Sequence, residues 1–326
     1  MQRFHGRTPW QSQLLGLVVF RAQVAETVGV DDMQPGARIA LGVNAEFVRH
    51  EDRPFSFAVS KAAEFGYEYL EPCLLNGRDL LAEAEYYHFR SMDEDPLEVK
   101  EQLQAVGLKS SAVSAHAPLM RPDVSVDYIR RAIRYASDLG APVVNTDEGI
   151  RPEWMDEEMA WTVMKYSLTM IERTAARYGI TVAIEPHGAY TTKVEDLVRI
   201  VDLVPSPWIK VNFDTGNSFL AGSDPVSDLA KVVDMVVHIH AKDIAFGMAD
   251  KLRGHVTGTP VGCACGDGAV DWRKVCAILR QTGYNGVLSV ECGTVDEAER
   301  SIAHLRQVLA EQEVVSSPPP APLPGA

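Results

Sequence analysis

The chain has 326 residues, 46% hydrophobic and 23% charged, which excludes collagen, a coiled coil or a wholly disordered chain. Its 45 Asp and Glu outnumber 31 Lys and Arg, and a net charge of −14 repels phosphate backbones, so nucleic acid is not an expected partner. No apolar run approaches the ~20 residues of a membrane-spanning helix, so no membrane is expected either.

In chain order, residues 1–37 read as an N-terminal extension. Arg3 and Arg7 precede a short apolar run at 14–20, as in a signal peptide, but Arg21 follows that run at once. A plain extension, or a start codon chosen ahead of Met33, fits better, and a cytoplasmic protein is expected. From residue 38, β-branched runs alternate with longer stretches of helical period. Strands are predicted over 37–45, 67–72, 108–116, 142–148, 180–187, 208–214, 235–243 and 286–292. Helices follow them over 54–66, 95–107, 124–140, 156–179, 194–204, 225–233, 270–283 and 295–312. Eight βα units predict an α/β fold, a single (β/α)8 TIM barrel over 38–312. An open doubly wound sheet would want a Gly-rich phosphate turn after its first strand, and GVNAEF at 42–47 is not one.

Residues 244–269 read as a long Gly-rich loop that closes part of the pocket. Residues 313–326 end in the Pro-rich SSPPPAPLPGA and read as a disordered tail. The five cysteines, Cys73, Cys263, Cys265, Cys276 and Cys292, are few and odd in number, so no disulfide framework is expected. One residue separates Cys263 from Cys265, too close for a zinc knuckle, and reduced thiols are expected.

Barrel enzymes carry their chemistry at the C-terminal ends of the strands. Those ends hold Glu71, His116, Asp147 and Glu148, Glu185, Asp214, His240 and Glu291. Glu185, Asp214, His240 and Glu291 close four consecutive strands, 29, 26 and 51 residues apart. Neighbouring strands lie ~4.8 Å apart, so these four side chains can converge on one point. Three carboxylates and one imidazole suit one divalent cation, Mn²⁺, Co²⁺, Mg²⁺ or Zn²⁺. Without it the carboxylates repel one another. Lys242 shares the alternation phase of His240 and points inward to a substrate oxygen or forms a loop salt bridge. His187 lies within reach of a substrate, and Arg253 sits where it can meet an anion or hydroxyl cluster. His116 and Glu71 read as pocket wall or as residues behind the ligands.

The motifs VAIEPH, NFDTGN, HIHAKD, GDGAVDW and LSVEC fall in order at these strand ends. Together they resemble the sugar phosphate isomerase/epimerase superfamily, the xylose isomerase-like barrels that include ketose 3-epimerases and inosose dehydratase. The resemblance spans about residues 38–310. It implies Glu185, Asp214, His240 and Glu291 as ligands of one cation, often manganese, and Glu185 and Glu291 as the acid/base pair. It implies a metal-bound enediolate formed by proton abstraction beside a carbonyl, a small sugar or keto-sugar substrate, and pairing of barrels through outer helices. PHGAYTT after Glu185 lacks the Arg and Glu of ketose 3-epimerases, and Asn217 stands where they carry His. An isomerase or epimerase is therefore expected, with a lyase (an inosose-type dehydratase or a 3-keto-glycoside deglycosidase) as the alternative. A barrel retained only to bind sugar would have lost ligands, and none of the four is lost.

Overall fold

Eight parallel strands wind into a barrel in the computed structural model, which describes residues 38–78, 85–255 and 262–316. The expectations for residues 1–37 and for the tail beyond 316 lie outside the described residues, and at 313–316 the last helix continues into the stretch read as disordered. The strands are β1 (Ile39–Asn44), β2 (Tyr69–Glu71), β3 in two halves (Lys109–Ser110 and Val113–Ser114), β4 (Val143–Thr146), β5 (Thr181–Ile184), β6 (Ile209–Asp214), β7 (Val236–Ala241) and β8 (Gly286–Val290). Each adjoins its sequence neighbour, and β1 pairs with β8 from Ile39↔Gly286 onward. The first half of β3 pairs with β2 and the second half with β4, so the sheet closes through one strand broken at Ser111 and Ala112.

The helices are α1 (Phe55–Phe65), α2 (Pro96–Ala105), α3 (Pro122–Leu139), α4 (Glu157–Tyr178), α5 (Val194–Asp202), α6 (Pro225–Val232), α7 (Trp272–Gln281) and α8 (Val295–Ser316). Each turns an apolar stripe at helical spacing toward the sheet, as in the buried Ala160, Met164, Leu168, Ile171 and Ala175 of α4. Asp156 starts that helix by accepting from Met159 N at 2.8 Å. The (β/α)8 barrel expected from the alternation is the observed fold. Among the described residues, no helix is long and apolar enough to cross a membrane.

Leu74–Leu75 and Arg90–Ser91, in the predicted loop after β2, pair as a small parallel ribbon, and two further segments depart from the expected pattern. Thr215–Leu220, directly after β6, is a short helix, and so is Phe246–Leu252 within the predicted loop. Neither reaches the length at which helical period stands out from a loop. The return from that loop is fastened by Asp243. Its Oδ1 accepts from Ile244 N (2.9 Å) and Val270 N (3.0 Å), and its Oδ2 from Gly266 N and the Trp272 indole, each at 2.9 Å.

The carboxylate is fully buried, so its removal strands four donors, each with a desolvation penalty of about 1–3 kcal/mol. Asp243→Ala is expected to lower unfolding free energy by about 3 kcal/mol or more, measured by urea denaturation.

Candidate metal centre and active-site cavity

Strand register brings the predicted ligands together. Ile184 pairs with Val211, which sets Glu185 beside Asn212, and Asp214 lies two residues further along β6. His240 pairs with both Asp214 and Ser289, and Glu291 lies two residues beyond Ser289. This stepwise rise follows from strand tilt in a closed barrel, and it lifts alternate inward residues to one level at the mouth. Ligand atoms of Glu185, Asp214, His240 and Glu291 all lie within 4.8 Å of one another.

The His240 ring decides the geometry. Its Nδ1 stands 3.1 Å from Glu185 Oε2 and 3.1 Å from Glu291 Oε2. Its Nε2 faces both oxygens of Glu71, each at 3.1 Å. A carboxylate at Nε2 holds the proton on that nitrogen and leaves the Nδ1 lone pair toward the mouth. Glu71 is itself fixed by Asn145 Nδ2 and Ser289 Oγ, each donating at 2.7 Å. Burial alone would raise its pKa, but the charges of His240 and His238 and hydrogen bonds from His240 and Ser289 bring it down to about 2. Asn212 Nδ2 donates to Glu185 Oε2 at 2.8 Å, and Asn212 Oδ1 lies 3.0 Å from His238 Nδ1.

Asp214 divides its two oxygens. Oδ1 accepts from Asn217 N at 2.8 Å and caps the short helix, while the buried Oδ2 has no hydrogen-bond partner. Glu291 Oε2 is likewise buried without one, and its Oε1 takes Lys242 Nζ at 3.1 Å. Lys242 also reaches Asn217 Oδ1 at 3.2 Å, its stem lying so close over Gly216 that a Cβ there would stand 2.5 Å from Lys242 Cγ. Two orphaned carboxylate oxygens and an available imidazole nitrogen fit a divalent cation, because buried anionic oxygens need a partner. Protons substitute for that charge. Burial, together with Glu291 and Glu185, pushes Asp214 up to about 8 against the pull of Lys242. Burial disfavours the charged ring of His240, yet the Glu185 and Glu71 carboxylates raise its pKa.

A cavity of about 270 Å³ opens above this cluster, just below the ~300–1,000 Å³ of small-molecule pockets. Glu185, His240, Glu291, Lys242, His116 and His187 line one side, and Leu74, Leu75, Phe89 and Tyr128 form an apolar wall. His116, His187 and Lys242 thus face the space where a substrate would sit. The expectation for Arg253 changes, while Glu71 takes the second of its two expected places, behind the ligands. Glu71 is buried beneath His240, and Asn217 is buried behind the ligands, touching Lys242 and Glu185. Arg253 turns away, donating to Gly222 O and Ser223 O and stacking on Phe219 with its guanidinium carbon 4.6 Å from the ring centre. Sequence reading passed over Glu46, Arg49, Leu74, Leu75 and Phe89, which come from excursions after β1 and β2, and Tyr128, which comes from α3. It noted Asp147 as a strand end, but its two histidine partners appear only in the fold.

A family model described as xylose isomerase-like TIM barrel matches residues 59–311. The chain belongs to that family. An inosose dehydratase of Clostridium botulinum (strain Alaska E43 / Type E3) is 27% identical over 154 residues, 45% of this chain and 50% of that protein. The chain therefore spans about half the length of the curated relatives it matches. A solved D-tagatose 3-epimerase-like protein superposes with a TM-score of 0.69 at 21% identity, covering 86% of this chain and all of that one. The IOLI protein, solved with a binding zinc atom, gives a TM-score of 0.62 at 19% identity over 84% and 98% of the two chains. Both structural likenesses establish the shared fold.

Loss of the Glu71 carboxylate removes the group that orients His240. Glu71→Gln is expected to weaken divalent-cation binding at this cluster about 10–100-fold in calorimetric titration, with an unchanged far-UV circular dichroism spectrum.

Proposed function

We propose that this chain is a divalent-cation-dependent isomerase or epimerase that takes a proton from the carbon beside a carbonyl of a sugar or keto-sugar. The observation that carries the reading is the placement of Glu185 and Glu291 on the same His240 nitrogen, both 3.1 Å away, at the floor of a monosaccharide-sized cavity. Glu185, Asp214, His240 and Glu291 would hold the cation, with Mn²⁺ favoured by three oxygen donors and Zn²⁺ or Co²⁺ by the imidazole. A bound cation supplies positive charge to the substrate's carbonyl and neighbouring hydroxyl, which makes the adjacent C–H acidic.

The protein's own groups do the rest. One of Glu185 and Glu291, entering as carboxylate, accepts the carbon-bound proton. The other, entering protonated, returns a proton from the opposite side, and the pair ends with its roles exchanged. Lys242 steers Glu291 by holding Oε1, with Oε2 turned to His240 Nδ1. Asn212 and Asn217 donate to Glu185 and fix its plane. His116 and His187 offer ring N–H groups to substrate hydroxyls, and the Leu74, Leu75 and Phe89 wall covers the sugar's C–H face and excludes water.

A second reading is β-elimination after the same proton abstraction. The curated match to inosose dehydratase, a lyase by name, supports it. The two differ in whether the substrate carries a leaving group β to the abstracted proton.

The test is incubation of Mn²⁺-loaded protein with a panel of ketoses, inososes and 3-keto-glycosides in D₂O. Solvent deuterium at carbon with a rearranged product supports isomerase or epimerase chemistry, and an unsaturated or cleaved product supports the lyase. Glu185→Gln and Glu291→Gln are each expected to lower turnover about 10²–10⁴-fold. Wild-type turnover in a chelated sample would overturn the reading.

A further inference from the structure

Three carboxyl groups line the cavity, and one of them, Glu46, stands outside the ligand cluster that claims Glu185 and Glu291. Glu46 follows β1 in a single turn of 3-10 helix over Ala45–Val48. Asn44 Oδ1 accepts from Glu46 N at 3.0 Å, Arg49 N donates to Glu46 O at 3.0 Å, and Ala45, Phe47 and Val48 are buried. These contacts fix the turn. Residues three apart in a 3-10 helix share a face, so Glu46 and Arg49 both line the cavity. Arg49 Nη1 holds Glu46 Oε2 at 2.5 Å, which leaves Oε1 to carry a proton. Val43 pairs with Val290, so the strand that delivers Glu46 adjoins the one that delivers Glu291, and neighbouring strands run ~4.8 Å apart.

We propose that Glu46 gives this site a second activity, β-elimination of water or an alcohol, by acting as the general acid on the oxygen that leaves. The proposal rests on the proton abstraction described above and adds the step that follows when the substrate carries an oxygen β to the abstracted proton. Epimerisation moves protons between two carboxyl groups and has no use for a third. Breaking a C–O bond does, because hydroxide and alkoxide leave slowly unless protonated as they go. The other proton donors of the lining are held elsewhere. Lys242 Nζ binds Glu291 Oε1 and Asn217 Oδ1, and His116 and His187 both turn Nδ1 to Asp147 Oδ2, at 2.7 and 3.1 Å.

The surroundings of Glu46 suit a proton donor. Burial raises its pKa against the pull of Arg49, and the charge of Glu291 adds to the rise. The proton is thus retained until a more basic oxygen claims it, and Arg49 then stabilises the carboxylate left behind. In the step itself, the electron pair released by loss of the α proton forms the new C=C bond as the β C–O bond breaks. The electrons of that bond pass to the leaving oxygen, which takes the Glu46 proton and departs as water or an alcohol. Glu46 regains a proton from solvent as the glutamate that took the α proton gives one up, so the substrate divides into an unsaturated ketone and water or an alcohol, with no other reactant.

The experiment is incubation of Mn²⁺-loaded wild type, Glu46→Gln and Glu46→Asp in D₂O with 2-keto-myo-inositol and with the methyl and 4-nitrophenyl 3-keto-β-D-glucosides. Deuterium entry beside the carbonyl and the unsaturated product are both followed by NMR. Glu46→Gln is expected to slow loss of water and of methanol about 10²–10⁴-fold. Deuterium entry should fall far less, and so should release of 4-nitrophenolate, which departs without a proton. Glu46→Asp, which keeps the acid, should recover part of the lost elimination. Equal slowing of deuterium entry and of all three eliminations is what a merely structural role gives, and it would overturn the proposal. Elimination by Glu46→Gln at the wild-type rate would do the same, as would a wild type that exchanges deuterium yet releases neither water nor methanol. Absence of exchange in the wild type marks failure of the proton abstraction itself, and it removes both activities together.

Discussion

Repulsion among three crowded carboxylates, the buried Glu185 and Asp214 and the partly exposed Glu291, is the constraint to which the rest of the barrel mouth answers. At separations of a few ångströms away from bulk water, like charges destabilise a fold unless positive charge or protons offset them. Lys242 lies against Glu291 and near Asp214, and His240 stands between Glu185 and Glu291. These partners leave Asp214 Oδ2 and Glu291 Oε2 without hydrogen bonds. Stability is given up at this point in exchange for an affinity toward positive charge.

That affinity needs a rigid floor. A layer of buried polar side chains, Glu71, Asn145, Asn212, His238 and Ser289, replaces the apolar packing usual inside a barrel. Hydrogen bonds link its members, though the buried Asn145 Oδ1 has no partner, and His238 Nε2 reaches Ser111 Oγ at 3.2 Å in the break of β3. A linked network of this kind holds each ring and carboxylate to one orientation. Burial works against the charged form of His238 and lowers its pKa to about 4, against the pull of Glu71.

Adjacent residues at the strand ends divide the labour. Asp147 faces the mouth and Glu148 clamps the segment after β5; Lys242 faces the mouth and Asp243 clamps the return after Phe246–Leu252. Strand alternation points neighbours to opposite sides, so one pair can both face the site and tether a neighbouring segment. Asp214 accomplishes both tasks within a single carboxylate.

The order of eight βα units was legible in the sequence, because apolar period and β-branched runs are local properties. So was the candidate set Glu185, Asp214, His240 and Glu291, since strand-end position and alternation phase follow from short stretches such as VAIEPH and HIHAKD. The tertiary structure alone decided which His240 nitrogen faces the carboxylates, that Glu71 supports the ring from below, and that Asp147 gathers two histidines. It also moved Arg253 out to Gly222 and Ser223 and brought Leu74, Leu75 and Phe89 in as a wall. These outcomes depend on register between strands and on the path of chain excursions. Both are set by closure of the barrel, in which residues far apart in sequence must share one space.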